Sequence, residues 1–424
     1  MTKVITYGTF DLLHYGHIRL LERAKALGDY LVVGITSDDY DKTRGKINNQ
    51  QSLIERIAAV KATGIADEII VEEYEGQKID DIRRLDIDIF TVGSDWVGYF
   101  DYLNEYCKVI YLPRTEGVSS TEIRTARRKL RVGIVGDLSI AEKFKKECSY
   151  VNGVELIEQM SSYEDVDAVY VVSRPEQHYM HAKEALLAGK HVLCQSPVGI
   201  SSEEYSELSA LARDHNLILM DGIKTAYATA FSRLIVLVKS GKIGDVVSVD
   251  ATCTSMIASE DDVAGIQQSK INSICAWGPI AMLPVFQILG TDYREKRIVS
   301  RILDQERFYD GFTKIDFVYP NAVASVKVAK TAKSEGELIV TGTKGYIYVP
   351  APWWKTDYFE VRYEDPNNNR RYFYQLDGEG IRYEIIAFLS AVQSGKNKSM
   401  ISSKESLAIA SVIEDYFKGN FTRI

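Results

Sequence analysis

The chain lacks the features that mark disulfide-bonded, secreted or membrane-spanning proteins. Its five cysteines are odd in number and scattered, and no CxxC pair occurs, so neither a disulfide framework nor a cysteine zinc site is indicated. The segment after Met1 does not show the charged start, apolar stretch and cleavage site of a signal peptide. No apolar run reaches the roughly 18 residues of a membrane span. These absences predict a cytoplasmic protein with no membrane span.

A basic domain is also lacking. The net charge is −8; residues 1–130 carry 18 basic and 21 acidic side chains, a balance of −3, and the remainder carries −5. This balance argues against nucleic acid as a partner, and any anionic ligand must be held by a few placed cations. The 424 residues suggest about two to four domains.

Short apolar strands alternate with helices in the first third of the chain. This order is typical of a parallel sheet covered by helices. The pattern restarts at Arg131, after a short predicted helix over 123–131. The predicted strands lie at 4–7, 30–36, 68–71, 87–92, 108–112, 132–135, 168–172, 191–194 and 218–220, and the helices at 16–27, 54–63, 79–85, 180–188 and 203–215.

The pattern of apolar and polar residues changes after about Gly244. Alternating segments at 246–252, 314–319, 322–328 and 337–341 predict a largely antiparallel sheet, and two helices near 383–394 and 403–417 close the chain. We therefore predict an α/β protein with a Rossmann-like parallel-sheet domain over 1–130. A second Rossmann-like domain follows over 131–245, and a C-terminal α+β domain covers 246–424.

The segment from Gly8 to His17 follows the first strand and opens a helix. His14 and His17 are three residues apart, so they share one face of the first helical turn. The free N–H groups and the positive dipole end at that point attract phosphate, and two imidazoles add donors. Gly16 keeps the space between the rings open, and Gly8 allows close approach of a ligand. Group transfer at phosphorus needs fixed donors of this kind.

Two plainer interpretations compete with this one. The histidines could be a chance pair on a surface helix, or a metal-binding pair at i,i+3 spacing. The glycine-flanked turn between strand and helix favours the phosphate interpretation, because only these two of the six histidines lie in such a turn.

The segment matches the signature of the HxGH cytidylyltransferases. Residues 1–128 closely resemble the bacterial glycerol-3-phosphate cytidylyltransferases, with matching segments at 4–14, 28–33, 93–96 and 109–123 in the family's order and spacing. The resemblance implies transfer of CMP from CTP to a small polyol phosphate, foremost glycerol 3-phosphate, giving CDP-glycerol and pyrophosphate. Such products feed cell-surface polymers. We expect Mg²⁺ to bind largely to the CTP phosphates, without an all-protein metal site.

The resemblance also implies roles for individual residues. It assigns catalysis to His14, His17, Lys46 and Arg114. It assigns CTP binding to the same four residues and to eight others: Thr9, Phe10, Tyr15, Gly16, Thr115, Ser119, Ser120 and Thr121. Arg44 and Lys78 would bind the acceptor's phosphate; without the resemblance, Arg44, Lys46 and Lys78 would be interpreted as solvated surface charge. Ser119 also begins an N-cap pattern that would present a second helix N-terminus to the triphosphate.

One stretch departs from the family. Where the family carries an RYVD segment, this chain has Gly64, Ile65, Ala66 and Asp67, so the arginine is missing. Either Arg44 or a residue from elsewhere supplies that charge, or the acceptor differs from glycerol 3-phosphate.

Residues 131–424 resemble the oxidoreductases related to glucose–fructose oxidoreductase and inositol dehydrogenase. The resemblance is carried by segments such as 131–136, 167–172, 175–179, 185–192 and 378–384. It implies an NAD(P) cofactor, with Gly136 and Ala141 in the cofactor-binding turn.

Three positions for that chemistry are altered. The second glycine of a dinucleotide loop lets the backbone approach the pyrophosphate, and Leu138 stands there instead. Ser196 stands where the family has its catalytic lysine. Ala276 and Ile280 stand where the family has an aspartate and a histidine or tyrosine. His178 and His191 are explained as packing residues. We therefore expect the second part to carry no hydride-transfer activity and to serve as a structural, dimerising or ligand-sensing module.

Alternatives from other classes stay open. The second part could be an active NAD(P)-dependent reductase that makes the polyol phosphate for the first, or both halves could be non-catalytic binding modules. The expected partners are CTP, a small polyol phosphate and further copies of the chain in a homodimer or higher homo-oligomer.

Overall fold

The computed structural model describes residues 1–43, 49, 51–74, 76–113, 129–136, 139–256, 271–306, 308–374 and 376–424. The chain divides into two compact units, Met1–Lys129 and Leu130–Ile424. The predicted helix over 123–131 falls largely outside the described residues. The second and third predicted domains together form the second unit.

The first unit is built around a parallel sheet with the strand order β3-β2-β1-β4-β5. The strands are β1 (Lys3–Gly8), β2 (Tyr30–Thr36), β3 (Glu68–Glu72), β4 (Ile89–Gly93) and β5 (Lys108–Leu112). The helices are Tyr15–Lys25, Asp38–Thr43, Leu53–Ala62 and Gln77–Leu85.

Alternation along β1 and β2 explains how both faces of this sheet are covered. Val4 and Val33 belong to a cluster with Leu21, on the side of the helix Tyr15–Lys25. Ile5 and Val32 belong to the opposite cluster, which includes residues of the helix Gln77–Leu85. Successive side chains of a strand point to opposite faces, so a central parallel strand must be apolar at every position.

The second unit begins with another parallel sheet, in the order β10-β9-β8-β6-β7. Its strands are β6 (Leu130–Val135), β7 (Val154–Ile157), β8 (Ala168–Val171), β9 (His191–Gln195) and β10 (Leu219–Gly222). The helices of this part are Ile140–Cys148, Pro175–Leu187, Ser202–Asp214 and Thr229–Lys239.

A mixed, largely antiparallel sheet completes the second unit, in the order β18-β17-β16-β15-β11-β14-β13-β12-β19. Within this sheet, β11–β14 and β12–β19 are the only parallel pairs among the described strands. The strands are β11 (Val246–Thr254), β12 (Glu295–Asp304), β13 (Tyr309–Val318), β14 (Val323–Ala329), β15 (Leu338–Gly342), β16 (Tyr346–Val349), β17 (Tyr358–Arg362), β18 (Arg370–Phe373) and β19 (Thr422–Arg423). The helices are Ser273–Leu289, Ile381–Ser394 and Ser403–Phe417. These sheets confirm the predicted fold class.

Candidate functional site

The strand order of the first sheet reverses between β1 and β4. Strand β2 lies on one side of β1 and β4 on the other, so the connections leave in opposite directions and open a crevice at the carboxyl ends. Ligands of open α/β sheets bind at such a switch point. The loop after β1 and the start of the helix Tyr15–Lys25 lie there.

The two histidines of this loop form a stacked pair. Their ring centroids are 3.9 Å apart, with 22° between the ring planes. His14 is the N-cap of the helix, and its Nδ1 accepts a hydrogen bond from the Gly16 N–H at 3.1 Å. In a neutral His14 the ring proton therefore resides on Nε2, which makes that nitrogen a donor. The rings of Phe10 and His17 form an edge-to-face pair, with 5.5 Å between their centroids.

The loop that carries the histidine pair has an energetically unfavourable backbone conformation at two residues. Phe10 has φ 51° and Leu12 has φ 48°, which is the left-handed region that side chains other than glycine rarely adopt. Phe10 is only 1% exposed and packs in the core beneath the loop, so the nucleotide contact predicted for it would come from its backbone. Such strain persists only where neighbouring groups hold it.

Arg56 is the main anchor of this loop, and sequence reasoning missed it. Its guanidinium is fully buried and donates to the carbonyl oxygens of Thr9 at 2.7 Å and Thr36 at 2.8 Å. It also donates to Gln51 O at 3.3 Å and pairs with the Asp38 carboxylate. A planar fork with five N–H groups can join several segments in this way. The capping box of Ser52 and Glu55, at the start of the helix Leu53–Ala62 that carries Arg56, is a local sequence signal that could have pointed to this helix.

Carboxylates and an amide complete the support of the loop. The buried Asp41 accepts from the Thr9 hydroxyl at 3.0 Å. Asp11 accepts from the Gln51 N–H at 3.0 Å, and the Gln51 side chain accepts from the Leu12 N–H at 2.8 Å. The role of Thr9 in CTP binding stays a prediction. These groups lie 30 to 40 positions from the loop, as in the separation of 40 between Asp11 and Gln51, so no local motif reveals them.

Lys78 lies deeper than a surface lysine. It is 7% exposed, its ammonium pairs with the Glu72 carboxylate, and it lies 4.7 Å from the centroid of the Tyr7 ring. Burial and the neighbouring Asp81 carboxylate raise the pKa of Tyr7 well above its usual range. The role of Lys78 at the acceptor's phosphate stays a prediction.

The remaining predicted residues divide into two groups. Tyr15 is exposed in the first turn of the helix, next to Gly16. The others lie outside the described residues: Arg44, Lys46, Arg114, Thr115, Ser119, Ser120 and Thr121. Their roles stay predictions.

In the second unit, Gly136 directly follows β6 with φ 117°. A Cβ atom at this position would lie 2.3 Å from the Ser173 backbone nitrogen, so a glycine is needed here. Ala141 is buried in the first turn of the helix Ile140–Cys148. Leu138 lies outside the described residues. The first glycine of a dinucleotide-binding turn, directly after the strand, is therefore present.

The three positions at which the family has proton-transfer residues hold other residue types in this chain. Ser196 is buried near Asp221; burial raises the pKa of Asp221 to about 6, and the hydrogen bond that Asp221 accepts from the Ser406 hydroxyl at 2.8 Å opposes that rise. Ala276 and Ile280 line a cavity of about 230 Å³ with no titratable group of their own. Ser196, Ala276 and Ile280 therefore do not supply the titratable groups that the resemblance places at these three positions.

Two of the four histidines of the second unit, His178 and His191, were expected to be packing residues. His178 is 1% exposed, and its ring nitrogens contact the carbonyl oxygens of Pro197 at 2.7 Å and Ser173 at 2.9 Å. Burial lowers its pKa, although both carbonyl oxygens oppose this. His191 begins β9 and accepts from the Ile218 N–H at 3.0 Å. Each therefore holds backbone in place.

Two further properties concern metals and membranes. Within the described ranges, no group of three or more His, Cys, Asp or Glu side chains is placed to hold a metal ion. None of the helices in that part of the chain combines the length and apolar character needed to cross a bilayer.

Comparison with known proteins supports a two-part chain. Residues 5–126 match the cytidylyltransferase-like family model, and residues 122–223 match the model of the oxidoreductase family with an NAD-binding Rossmann fold. The glycerol-3-phosphate cytidylyltransferase of Bacillus spizizenii is 52% identical over 124 residues, which are 29% of this chain and 95% of the relative. That of Staphylococcus aureus is 46% identical over 124 residues and is covered to 93%.

The second unit has more distant relatives. The trans-1,2-dihydrobenzene-1,2-diol dehydrogenase of Sus scrofa is 26% identical over 290 residues, which are 66% of this chain and 86% of the relative. The crystal structure of a 3-ketoreductase from Actinomadura kijaniata with NADP and TDP-benzene shares the fold with a TM-score of 0.60 at 20% identity, covering 70% of this chain and 99% of that one. The chain therefore belongs to the cytidylyltransferase-like family through its first unit, which makes it a nucleotidyltransferase, and it carries an oxidoreductase-type Rossmann fold in its second.

Proposed function

We propose that the first unit transfers CMP from CTP to a small polyol phosphate, most simply glycerol 3-phosphate. An oxygen of the acceptor's phosphate attacks the α-phosphorus of CTP, the bond from that phosphorus to the bridging oxygen breaks, and pyrophosphate leaves. The products are CDP-glycerol and pyrophosphate. The stacked pair of His14 and His17 at a helix N-terminus carries this proposal, and the high identity to the cytidylyltransferases supports it.

The histidine pair has a defined task in this reaction. Negative charge grows on the oxygens around phosphorus and on the leaving pyrophosphate, and preorganised donors stabilise it. His14 offers Nε2–H because its Nδ1 accepts from the helix backbone. Lys46, Arg114, Thr115, Ser119, Ser120 and Thr121 would surround the triphosphate, and Arg44 and Lys78 the acceptor. CTP would bring Mg²⁺ on its phosphates, where the ion neutralises charge.

The test compares His17→Ala with the wild type in an assay of pyrophosphate release from CTP and glycerol 3-phosphate. Loss of one such donor typically lowers the rate by roughly 10²–10³-fold, and the fold should persist. His215→Ala is the matched control, since His215 is exposed at the end of a helix in the second unit. Wild-type turnover of His17→Ala would refute the mechanism. A panel of phosphorylated polyols then identifies the acceptor, which the missing arginine near Gly64 leaves open.

We further propose that the second unit does not transfer hydride to a polyol precursor. The support is the replacement of the proton-relay positions by Ser196, Ala276 and Ile280. A hydroxyl is a poor general acid near neutral pH compared with an ammonium group. Absorbance of the nicotinamide band should stay constant when NADH or NADPH is mixed with keto-phosphates. Stoichiometric oxidation of either would establish the bifunctional alternative instead.

A further inference from the structure

The cavity of the second unit has room for a small molecule. It measures about 230 Å³, whereas one water takes about 30 Å³ of liquid volume. It lies beyond the carboxyl ends of β8, β9 and β10, where Tyr170, Gln195 and Gly222 line it. Trp277 and Trp354 form an apolar wall, with 4.9 Å between their ring centroids.

Three lysines converge at one side of this cavity. Their ammonium groups surround the carboxylate of Glu379, with N–O distances of 3.0 Å for Lys143, 2.7 Å for Lys224 and 2.9 Å for Lys355. Glu379 is the one carboxylate that forms ion pairs with them among the described residues. The cluster of three lysines and one glutamate therefore carries a net charge of about +2.

A tight turn holds Glu379 in the middle of the lysines. Glu379 has φ 54°, between Gly378 at 55° and Gly380 at 92°, so three successive residues are left-handed. A Cβ at Gly378 would come within 2.2 Å of the Glu147 carboxylate, and one at Gly380 within 2.8 Å of Lys224 O. Since a left-handed glutamate costs energy, its neighbours must fix it there.

A buried acid also lines the cavity. Glu384 is 2% exposed, and its Oε1 has no hydrogen-bond partner among the residues that the structure describes. Burial raises the pKa of Glu384 to about 8; the charge of Lys224 opposes this rise, and Asp221 adds to it. Near neutral pH its carboxyl group is largely protonated, so it can both donate and accept a hydrogen bond.

We propose that this cavity is a binding site for a small phosphorylated polyol. Its phosphate would lie on the ammonium groups of Lys143, Lys224 and Lys355, and its hydroxyls would bond to Glu384 and to the Gln195 amide. Gln195 accepts from the Tyr170 hydroxyl at 2.8 Å through Oε1, which leaves its amide nitrogen as a donor. The proposal rests on this cavity and does not depend on the transferase activity of the first unit.

Charge decides between phosphate and other anionic groups. A phosphate monoester carries about −1.5 to −2 near neutral pH, which matches the net charge of the cluster, whereas a carboxylate supplies only −1. Lysines bind phosphate as point charges. A buried carboxyl group without a partner costs free energy, and a ligand hydroxyl would remove that cost.

Residue-resolved labelling tests the proposal on the full chain. Lysines are acetylated under limiting reagent, and the modified peptides are quantified by mass spectrometry with and without glycerol 3-phosphate. We expect labelling of Lys143 and Lys355 to fall several-fold at saturation. Lys145 is the internal control, because it lies on the same helix and pairs with Glu142 outside the cavity. Because the labels report these lysines alone, failure of the transferase proposal would not affect the result.

The probes separate the parts of the ligand. Inorganic phosphate should protect more weakly than glycerol 3-phosphate, and glycerol should not protect. Equal protection by phosphate and glycerol 3-phosphate, or protection by glycerol alone, would overturn the polyol phosphate assignment. Unchanged labelling of Lys143 and Lys355 with every probe would overturn the site itself.

A variant pair completes the test. In Lys224→Gln, the glycerol 3-phosphate concentration that gives half protection of Lys355 should rise about tenfold. A hydrogen bond between charged groups contributes about a factor of ten in affinity. Lys145→Gln should leave it unchanged. Thermal melting of both variants checks the fold. An unchanged midpoint in a folded Lys224→Gln variant would refute the role of the lysine cluster.

Discussion

Replacement of Arg56 by lysine should loosen the loop that carries the histidine pair while keeping the positive charge. Arg56 makes hydrogen bonds in four directions, to Thr9 O, Thr36 O, Gln51 O and the Asp38 carboxylate. A single ammonium group cannot span the same set of acceptors. About two of these contacts would be lost. At roughly 1–1.5 kcal/mol each, the loop should be destabilised by about 2–3 kcal/mol.

Hydrogen exchange measures this effect directly. Amides in peptides covering residues 5–17 should exchange roughly 30- to 150-fold faster in Arg56→Lys, with peptides of the second unit as the internal reference. The kcat/KM for pyrophosphate release should fall at least about tenfold, because small displacements of positioning groups are costly in rate.

The control is the same substitution at an exposed arginine. Arg19 forms a surface ion pair with Glu22, and such pairs contribute at most about 1 kcal/mol. Arg19→Lys should therefore match the wild type in both assays. Wild-type exchange and wild-type kcat/KM in Arg56→Lys would refute the anchoring argument.

Three further outcomes are expected. His14→Asn should keep the wild-type melting temperature, since asparagine is a good N-cap, but it should lose transfer activity in the pyrophosphate assay; an active His14→Asn would show that the imidazole donor is dispensable. The folded-state pKa of Glu384 is raised from 4.5 to about 8, so the folded state binds the proton more tightly than the unfolded state does. The second unit should therefore lose stability as the pH rises through that range, by at most about 1.4 kcal/mol per pH unit. Urea unfolding at pH 5 and pH 8 should show a smaller loss in Glu384→Gln, with a remainder from Asp221 up to about pH 6; an unchanged loss would contradict the assignment. Excess chelator should abolish pyrophosphate release, and full activity in its presence would contradict the magnesium requirement.

Nine of the ten strands described in the two parallel sheets could be predicted, because they are short apolar runs between turns; β7 (Val154–Ile157) was missed. The strand Tyr30–Thr36 and the helix Ser403–Phe417 occur with the predicted bounds. The helix Ser273–Leu289 was not predicted, because Pro279 and Pro284 lie inside it and its buried surface shows no amphipathic period. The strand Glu295–Asp304 was also missed, since charged residues interrupt its apolar positions.

The candidate site was only partly accessible to sequence reasoning. The histidine pair lies within a contiguous motif, so spacing alone placed both rings on one helical turn. Arg56 and the lysines around Glu379 carry no such signal. Lys143 and Glu379, for example, are separated by 236 positions, and only the folded chain brings them together.

The anchoring of the first loop also limits how the histidine motif can be transplanted. The motif spans ten contiguous residues, yet the left-handed backbone at Phe10 and Leu12 is held by a residue of the helix that begins at Leu53. A design that grafts Gly8 to His17 onto another parallel sheet without an equivalent of Arg56 should relax to an ordinary turn. The histidines alone therefore do not specify a working loop, because the arginine that fixes its backbone belongs to the same functional unit.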